Sequence, residues 1–426
     1  MLSQLLRKRS TLWGAFVAVH LWLAVLGVAL IPQQAFWDLD LYRYWVWLGV
    51  HAQQWPAIDA AWVYPAGALL PLMLSGIGGL GYGHGFAIVW CLGITALNAL
   101  AIAVLLRRRN GMAGAWWWIA FIFLLGPIAM GRLDAVVAPL TVVALAWGVQ
   151  RPAVASFLLT VGAWIKVAPG ALVAPLFVVS RRPWRDVVAP AAAVSAVVVG
   201  TVVGLGGGDY VFSFLSEQGS RGLQIESPGA TPWLLVGLLT TRIKRFMNQD
   251  INTWEITGPG TQVMAEVLGV AFALALGATA VLLWWRRQRL GDRLWTDGTA
   301  RAELLMRGAM LMTLAMLVFN KVGSPQYIGW LAGPVAVALA MGLPGWQRTA
   351  RLSLAVAAAT QVIFPWFYGQ ITYGGAGTTL LLAGRNAALV VLLVWTVQAL
   401  VPRARDEALA AEVEEATSAE AAPAAR

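Results

Sequence analysis

The sequence has few charged residues and few residue types that bind metals. Only 12% of its residues are charged and 59% are apolar, against about 25% and about 45–50% in an ordinary soluble domain. Cys91 is the single cysteine, which excludes an intrachain disulfide and a cysteine metal cluster. The histidines His20, His51 and His84 lack ligand spacing, so we expect no metal site and no requirement for a divalent cation.

Long apolar runs recur along the whole chain, and each is long enough to cross ~30 Å of hydrocarbon. They lack the period-2 alternation of a membrane β-barrel. The sequence therefore predicts an all-α, polytopic transmembrane helical bundle with about 11 to 13 spans. The predicted spans are 11–31, 65–82, 84–106, 113–130, 133–149, 152–166, 168–180, 187–206, 262–285, 303–320, 327–343, 350–367 and 377–401.

The basic residues indicate the orientation in the membrane. A net charge of +10 could indicate a nucleic-acid partner, but most Lys and Arg residues lie in short segments between the spans. The positive-inside rule assigns these segments and both termini to the cytoplasm, so we expect no nucleic-acid partner. The basic N-terminus and the long first run indicate an anchored helix rather than a cleavable signal. We expect a multi-pass protein of the inner (plasma) membrane.

We expect one transmembrane domain, residues 1–401, with polar loops on the periplasmic or extracellular side. The first external loop is predicted at 32–64 and a long one at 206–260. The tail 402–426 is rich in Ala and Glu and is expected to be cytoplasmic and disordered.

The stretch 65–82 leaves one question of topology open. If it crosses fully, the three arginines at 107–109 would fall outside, against the positive-inside rule. The stretch is rich in Gly and Pro, so it could instead dip into the membrane without crossing.

Four ionisable residues beside apolar runs are candidates for function, because charges near the membrane are costly. Lys166 and Lys321 fall on the predicted external face, and the alternative for each is snorkelling to the interface. Arg132 and Asp134 lie at a span junction, where the alternative is a structural Arg–Asp pair at a helix start.

The first external loop predicts an amphipathic helix lying at the membrane surface. Its apolar and aromatic residues follow i, i+4, i+7 and i+8 spacing, namely Trp37, Leu41, Tyr44 and Trp45. Asp38 stands at its start and could be an N-cap. It could also be a general base, since partial desolvation raises a carboxylate pKa toward working pH. Asp40 is the rival for that role.

The long external loop adds two candidates of opposite charge. Arg221 could clamp a phosphate with its guanidinium fork. Glu226 could bond a sugar hydroxyl, and its alternative is a loop salt bridge.

Six short motifs, spread over roughly residues 10–400, carry a family resemblance. They are Asp38-Leu-x-Leu-Tyr42, Tyr64-Pro65, Gly131-Arg-Leu-Asp134, Lys166-x-x-Pro169, Arg221-Gly-Leu-Gln-Ile-Glu-Ser227 and Asn320-Lys-Val-Gly-Ser-Pro-Gln-Tyr327. In this order the chain resembles the GT-C superfamily of membrane glycosyltransferases. Within it the chain looks like glycosyltransferase family 87, the polyprenyl-phosphate-mannose-dependent mannosyltransferases. Ala66 stands where the family usually has a second proline.

The resemblance implies an active site on the periplasmic side, a polyprenyl-phosphate sugar donor, and a lipid-linked glycan or phospholipid acceptor. Asp38 matches the family's acidic residue and would take the proton from an acceptor hydroxyl, which then inverts the anomeric carbon. Asp40, two residues on, keeps that assignment from being unique. The candidate donor-phosphate ligands are Lys321, Arg221, Lys166 and Arg132. The candidate sugar and acceptor ligands are Tyr42, Tyr64, Asp134, Glu226, Gln326 and Tyr327.

Two other function classes remain open from the sequence. A transporter or flippase would also use charges near the membrane, but its site is expected near the midplane, whereas these polar groups gather at one face. A non-catalytic subunit of an envelope-synthesis complex would not depend on Asp38 or Asp40. Within the enzyme interpretation, arabinose or another lipid-phosphate sugar competes with mannose.

Overall fold

The computed structural model describes residues 8–219, 221–249 and 252–401, and in that part of the chain it is a helical bundle with one small hairpin. The predicted tail 402–426 lies outside the described residues. The first helices are α1 (Arg9–Leu30), α2 (Pro32–Ala35), α3 (Trp37–Ala52), α4 (Ala66–Gly76), α5 (Gly85–Leu105), α6 (Gly111–Ala129), α7 (Asp134–Trp147), α8 (Pro152–Ile165), α9 (Ala168–Val179) and α10 (Trp184–Gly204). The later elements are α11 (Ser213–Gly219), α12 (Thr231–Val236), β1 (Lys244–Asn248), β2 (Thr253–Thr257), α13 (Thr261–Leu290), α14 (Arg293–Thr296), α15 (Gly298–Val318), a 3-10 helix (Pro325–Leu331), α16 (Ala332–Met341), α17 (Gln347–Gln361), α18 (Tyr368–Thr372) and α19 (Ala376–Leu400).

The all-α polytopic prediction is confirmed. Among the described residues, six helices are long and apolar enough to cross a membrane. They are α1, α5, α6, α10, α13 and α19. Every predicted span contains a helix, and the total number of crossings stays a prediction.

The helix α4 is much shorter than the predicted span at 65–82. A three-residue 3-10 turn leads into an eight-residue α-helix, which together rise roughly 17 Å. That is little more than half of ~30 Å of hydrocarbon. The geometry therefore favours a segment that enters the membrane without crossing it.

The helix α15 forms the centre of the bundle and the longer helices around it face outward. Almost every residue of α15 from Ala302 to Leu317 is buried, and from Gly308 onward the helix is apolar on every side, as expected for a buried helix. By contrast, only 17% of the apolar windows of α10 and α13 are buried. Their apolar side chains therefore form the lipid-facing surface.

Two short helices bring polar ends together. The helices α7 and α8 pack against each other and are joined by only four residues, 148–151, so they run antiparallel. The start of α7 at Asp134 and the end of α8 beside Lys166 therefore lie at the same end of the bundle. Pro152 opens α8 at its first position, where its missing N–H costs nothing.

The predicted amphipathic helix is present as α3, but Asp38 does not cap it. The helix begins at Trp37 after Phe36, and Asp38 lies in its first turn. The N-cap interpretation is therefore wrong. The buried face consists of Leu39, Tyr42, Val46 and Gly49. Trp37 and Tyr44 lie on the exposed face, which fits contact with a membrane surface.

The long loop contains a β-hairpin that the sequence analysis did not predict. β1 and β2 pair antiparallel, with Phe246 opposite Glu255. β2 contains Thr253, Trp254 and Ile256, which are residue types that favour strands. Gln224 forms an isolated bridge to Glu255, so the hairpin is attached to the loop that carries Arg221.

Candidate active site

The Gly131–Asp134 segment makes ion pairs with two other elements. Arg132 Nε lies 2.8 Å from Asp38 Oδ2 in α3. Asp134 Oδ2 lies 3.6 Å from Lys166 Nζ, just after α8. The Arg–Asp pair within this segment is therefore a wrong prediction, because each charge turns to a different partner. The segment connects the candidate base to a candidate phosphate ligand.

Arg132 is itself held in place by backbone oxygens. Its Nη1 donates to the carbonyl of Ala35 at 3.1 Å and to that of Gly131 at 2.9 Å. Its guanidinium lies over the ring of Phe364, 5.6 Å from the centroid. The side chain is almost fully buried, so Arg132 fixes the orientation of the Asp38 carboxylate.

The structure separates the two rival carboxylates of the first external loop. Asp40 pairs with Arg43 at 3.4 Å and its side chain is 58% exposed, whereas that of Asp38 is 24% exposed. Arg43 also donates to the carbonyls of Leu80 and Gly81. Asp40 therefore belongs to a surface contact, while Asp38 faces the cluster of buried charges.

Lys166 is buried among aromatic rings rather than extended into water. Its Nζ lies 4.7 Å from the centroid of Tyr64 and 5.3 Å from that of Tyr327. Its partner Asp134 also accepts a 2.7 Å hydrogen bond from Trp330 Nε1. Snorkelling is therefore the wrong interpretation of this lysine.

Two buried tyrosines connect the two ion pairs. Tyr42 and Tyr64 hydrogen-bond through their side chains, and Tyr42 Oη also accepts from the backbone N–H of Leu133 at 3.4 Å. Burial raises the pKa of both phenols. Both hydroxyls are therefore neutral donors at working pH, close to the Asp38 carboxylate.

The loops 221–227 and 320–324 are joined by backbone and amide hydrogen bonds. Gln224 donates through its backbone N–H to the carbonyl of Lys321 at 3.0 Å. Its side-chain Oε1 accepts from the N–H of Gly323 at 2.6 Å. Gly323 lies against the backbone of Ser227, where a Cβ would not fit. Arg221 and Lys321 are therefore presented by one joined surface.

That surface has an excess of positive charge. The charge of Arg221 acts on both Lys166 and Lys321. Partial burial lowers the pKa of Lys321, and nearby Glu255 opposes this. Glu255 also accepts from the N–H of Gly222 at 2.8 Å. Within the described part of the chain, the Arg221 Nε is buried without a hydrogen-bond partner, so it has a donor to offer to an anion.

Glu226 has a fully buried side chain that pairs with Arg385 of α19, Oε2 to Nη1, at 2.9 Å. Arg385 also donates to the Glu226 carbonyl at 2.7 Å, and Asn386 donates to Thr231 at 2.8 Å. This arrangement favours the salt-bridge alternative over contact with a sugar. The pair anchors the 221–227 loop to α19.

Gln326 lies beside Asp134, the partner of Lys166. It lines a cavity of about 20 Å³ together with Asp134 and Asn98, which has room for about one water molecule. Its role toward a sugar or an acceptor stays a prediction, as do the corresponding roles of Tyr42, Tyr64, Asp134, Glu226 and Tyr327.

Three residues of the site were not found from the sequence. Arg385 had a usable signal, because it is an arginine within the long apolar run of α19 and such residues are rare. Trp330 and Glu255 had none, since neither an indole nor a loop carboxylate is unusual. Only the fold places Trp330 against Asp134 and Glu255 near Lys321.

Across residues 8–219, 221–249 and 252–401, no group of three His, Cys, Asp or Glu side chains could hold a metal ion. That the reaction requires no divalent cation stays a prediction.

Comparison with known families decides the class of protein. The model of glycosyltransferase family 87 matches residues 62–300, which is more than half of the 426 residues. The chain belongs to glycosyltransferase family 87. The matched segment contains Tyr64, Arg132, Lys166 and Arg221, whereas Asp38 lies before it and Lys321 after it. No curated protein matches the chain.

Membership of family 87 makes the protein a membrane glycosyltransferase. This supports the enzyme interpretation over the transporter and the non-catalytic subunit. A transferase embedded in the membrane acts on lipid-linked substrates, and the buried charges beside α3, α7 and α8 are its candidate active site.

Proposed function

We propose that this family 87 enzyme transfers mannose from a polyprenyl-phosphate donor to a lipid-linked acceptor, on the periplasmic or extracellular side and with inversion. The observation that carries the proposal is the Asp38–Arg132 pair, 2.8 Å apart, next to an excess of cations. A base and an anion site side by side are what transfer from a sugar phosphate needs.

Asp38 acts as the general base. Arg132 holds its Oδ2, and the other oxygen takes the proton from the acceptor hydroxyl. The acceptor oxygen then attacks the anomeric carbon, and the bond from that carbon to the donor phosphate oxygen breaks. The phosphate leaves with the electron pair of that bond. Attack from the face opposite the phosphate inverts the anomeric centre.

Arg221, Lys321 and Lys166 stabilise the departing phosphate. Positive groups aimed at developing negative charge act most strongly where water is excluded. Arg221 contributes most, because its buried Nε has no hydrogen-bond partner in the described part of the chain, and a guanidinium fork matches phosphate oxygens. Lys166 is already paired with Asp134, so it adds a positive charge whose position is fixed by that pair.

Mannose and the polyprenyl-phosphate carrier are proposed from the family resemblance. The cation excess supports a phosphate leaving group and does not distinguish among sugars. Arabinose and glucose carried on the same lipid phosphate are therefore the competing donors, and the experiment includes them.

Sugar transfer by the purified protein tests the proposal. Radiolabelled polyprenyl-phosphate mannose and a membrane lipid extract are supplied to wild type, Asp38→Asn and Asp40→Asn. We expect a new labelled glycolipid with wild type and with Asp40→Asn. Asp38→Asn should reduce turnover by about 10²-fold or more, the usual contribution of a general base.

The reverse pattern would move the base to Asp40. Folded protein that transfers sugar from none of the mannose, arabinose and glucose donors would overturn the lipid-phosphate donor. NMR of the new anomeric linkage against that of the donor tests inversion, and retention would contradict a single in-line displacement.

A further inference from the structure

A second cluster of charges lies at the other end of the central helix. Arg301 is near the start of α15, and Lys321 lies just beyond its end. The helix from Arg301 to Val318 rises about 26 Å and Lys321 lies three residues further on, so the separation is close to the thickness of the hydrocarbon core. The cluster around Arg301 is therefore at the membrane surface opposite the candidate active site.

Two arginines from different elements lie over one indole ring, and a third, Arg301, lies near one of them. The guanidinium carbons of Arg181 and Arg287 lie 5.8 Å and 5.4 Å from the ring centroid of Trp295. Arg181 Nη2 also donates to the Trp295 carbonyl at 2.8 Å. Arg301 is close enough for the charge of Arg181 to lower its pKa further, after burial. The loop after α9, the end of α13 and the start of α15 therefore lie close together.

This cluster has N–H donors without a hydrogen-bond partner and an excess of positive charge. In the described part of the chain, Arg287 Nη1 and Arg301 Nε are buried without a hydrogen-bond partner. Several neighbouring carboxylates pair with other arginines. These pairs are Asp186 with Arg185 at 3.9 Å, Asp297 with Arg293 at 3.8 Å, and Glu303 with Arg307 at 2.7 Å. Like charges gathered in this way are stabilised by a bound anion.

An apolar stripe on α13 leads directly to the arginines. Its exposed residues recur every three, four or seven positions and end at Trp284, namely Val263, Val267, Val270, Leu274, Val281 and Trp284. Arg287 follows one turn later on the same face, with its guanidinium 4.8 Å from the Trp284 ring. An anion that also carries a hydrocarbon chain fits both features at once.

We propose that Arg181, Arg287 and Arg301 bind the phosphate of an anionic phospholipid in the leaflet opposite the active site, with an acyl chain along α13. Basic pockets between membrane helices are known to take such head groups. The site is separate from the glycosyl-transfer site, and the lipid bound here is neither donor nor acceptor.

Native mass spectrometry of the full-length detergent-solubilised protein tests this proposal. Wild type is titrated with phosphatidylglycerol, cardiolipin and phosphatidylcholine. We expect tighter retention of the two anionic lipids. Arg287→Gln with Arg301→Gln should weaken their binding about tenfold or more. The matched control, Arg185→Gln with Arg293→Gln, removes equal charge from two arginines with exposed side chains and should leave the binding unchanged.

Equal loss of anionic-lipid binding in both double variants would attribute the binding to general surface charge and overturn the site. Unchanged binding in both double variants would also overturn it. If Arg287→Gln with Arg301→Gln does not fold, Arg181→Gln alone should weaken binding several-fold, and unchanged binding would overturn the proposal.

Two further arms identify the occupant. Inorganic phosphate at millimolar concentration should not raise the melting temperature as the anionic lipids do, and an equal rise would assign the site to a soluble anion. The Glu-rich segment after Val401 is the alternative occupant within the chain itself, because its carboxylates are also anions. Glu412→Gln, Glu414→Gln and Glu415→Gln together should leave lipid retention unchanged. A rise in retention would make that segment the occupant and overturn the lipid.

Discussion

Arg132 and Asp38 form one oriented unit. The guanidinium contacts the carboxylate through Nε at 2.8 Å and the carbonyls of Ala35 and Gly131 through Nη1. All these acceptors lie around the start of α3 and the start of α7. The contact therefore sets both the position of the base and the joint between two elements.

Arg132→Lys should impair transfer although the positive charge remains. A lysine cannot contact the carboxylate and both carbonyls from a planar fork, so Asp38 loses its orientation. We expect kcat to fall about tenfold or more, with little change in donor KM. In an Asp38→Asn background the same change should have almost no further effect, because there is no base left to orient. Equal losses in both backgrounds would show that Arg132 acts independently of Asp38.

Lys321 should produce an alkaline limit in the activity profile. Burial lowers its pKa below the ordinary 10.5, so the ammonium that helps to bind phosphate is lost as pH rises through that lowered value. Lys321→Arg should move the limit upward, since a guanidinium titrates above about pH 12. Profiles of kcat/KM against pH for both proteins check this, and an unmoved limit would assign it to another group.

The same pKa shift has the opposite sign for stability. A lysine whose pKa is lowered in the folded state contributes stability that is fully present above the unfolded pKa. This contribution declines as pH falls below the unfolded pKa and is lost once pH has fallen through the folded pKa. Activity and this contribution to stability therefore change in opposite directions with pH. Melting temperatures of wild type and Lys321→Met across the alkaline range measure it, and the difference between them should change with pH in that sense.

Gly323→Ala should separate the two loops of the phosphate site. The added methyl group would overlap the backbone of Ser227, which cannot rotate away as a side chain can. We expect a loss of about 1–3 kcal/mol of stability and a rise in donor KM, because Arg221 and Lys321 are no longer held on one joined surface. Gly269→Ala in α13 is the control, since it has open space around its Cβ position. A normal donor KM in Gly323→Ala would contradict the joined surface.

The Glu226–Arg385 pair allows a test between structure and sugar binding. Arg385→Met leaves a carboxylate buried without compensation, which costs about 3–5 kcal/mol. Replacing both residues, Glu226→Met with Arg385→Met, should restore most of the melting temperature. If Glu226 is structural, transfer activity returns with the fold. A double variant that is stable but inactive would instead show that Glu226 contacts substrate.

Much of the fold follows from the sequence because the membrane restricts the choices. A long apolar run must be a helix in hydrocarbon, so each predicted span contains one. The hairpin at Lys244–Thr257 was missed, because outside the hydrocarbon no such restriction applies. Asp38 as the N-cap would place the start of α3 two positions too late, since Phe36 precedes the first turn.

The site was predictable as a set of residues and not as a set of contacts. Arg132, Asp134 and Lys166 were identified as charges that the membrane disfavours, and Asp38 and Arg221 as charged residues of the external loops. Which charge pairs with which depends on helix directions and rotations that no single segment encodes. The two pairs therefore join residues 94 and 32 positions apart, Arg132 with Asp38 and Lys166 with Asp134.

The division of Arg132 and Asp134 between two partners limits how this enzyme can evolve or be redesigned. The two residues share one short, rigid segment, so the base and the buried lysine cannot be moved one at a time. A shift of α7 that makes room for a different donor around Lys166 also displaces Asp38, which activates the acceptor. New substrate preferences should therefore arise through the loops at 221–227 and 320–324, which can change shape while the inherited framework below them stays fixed.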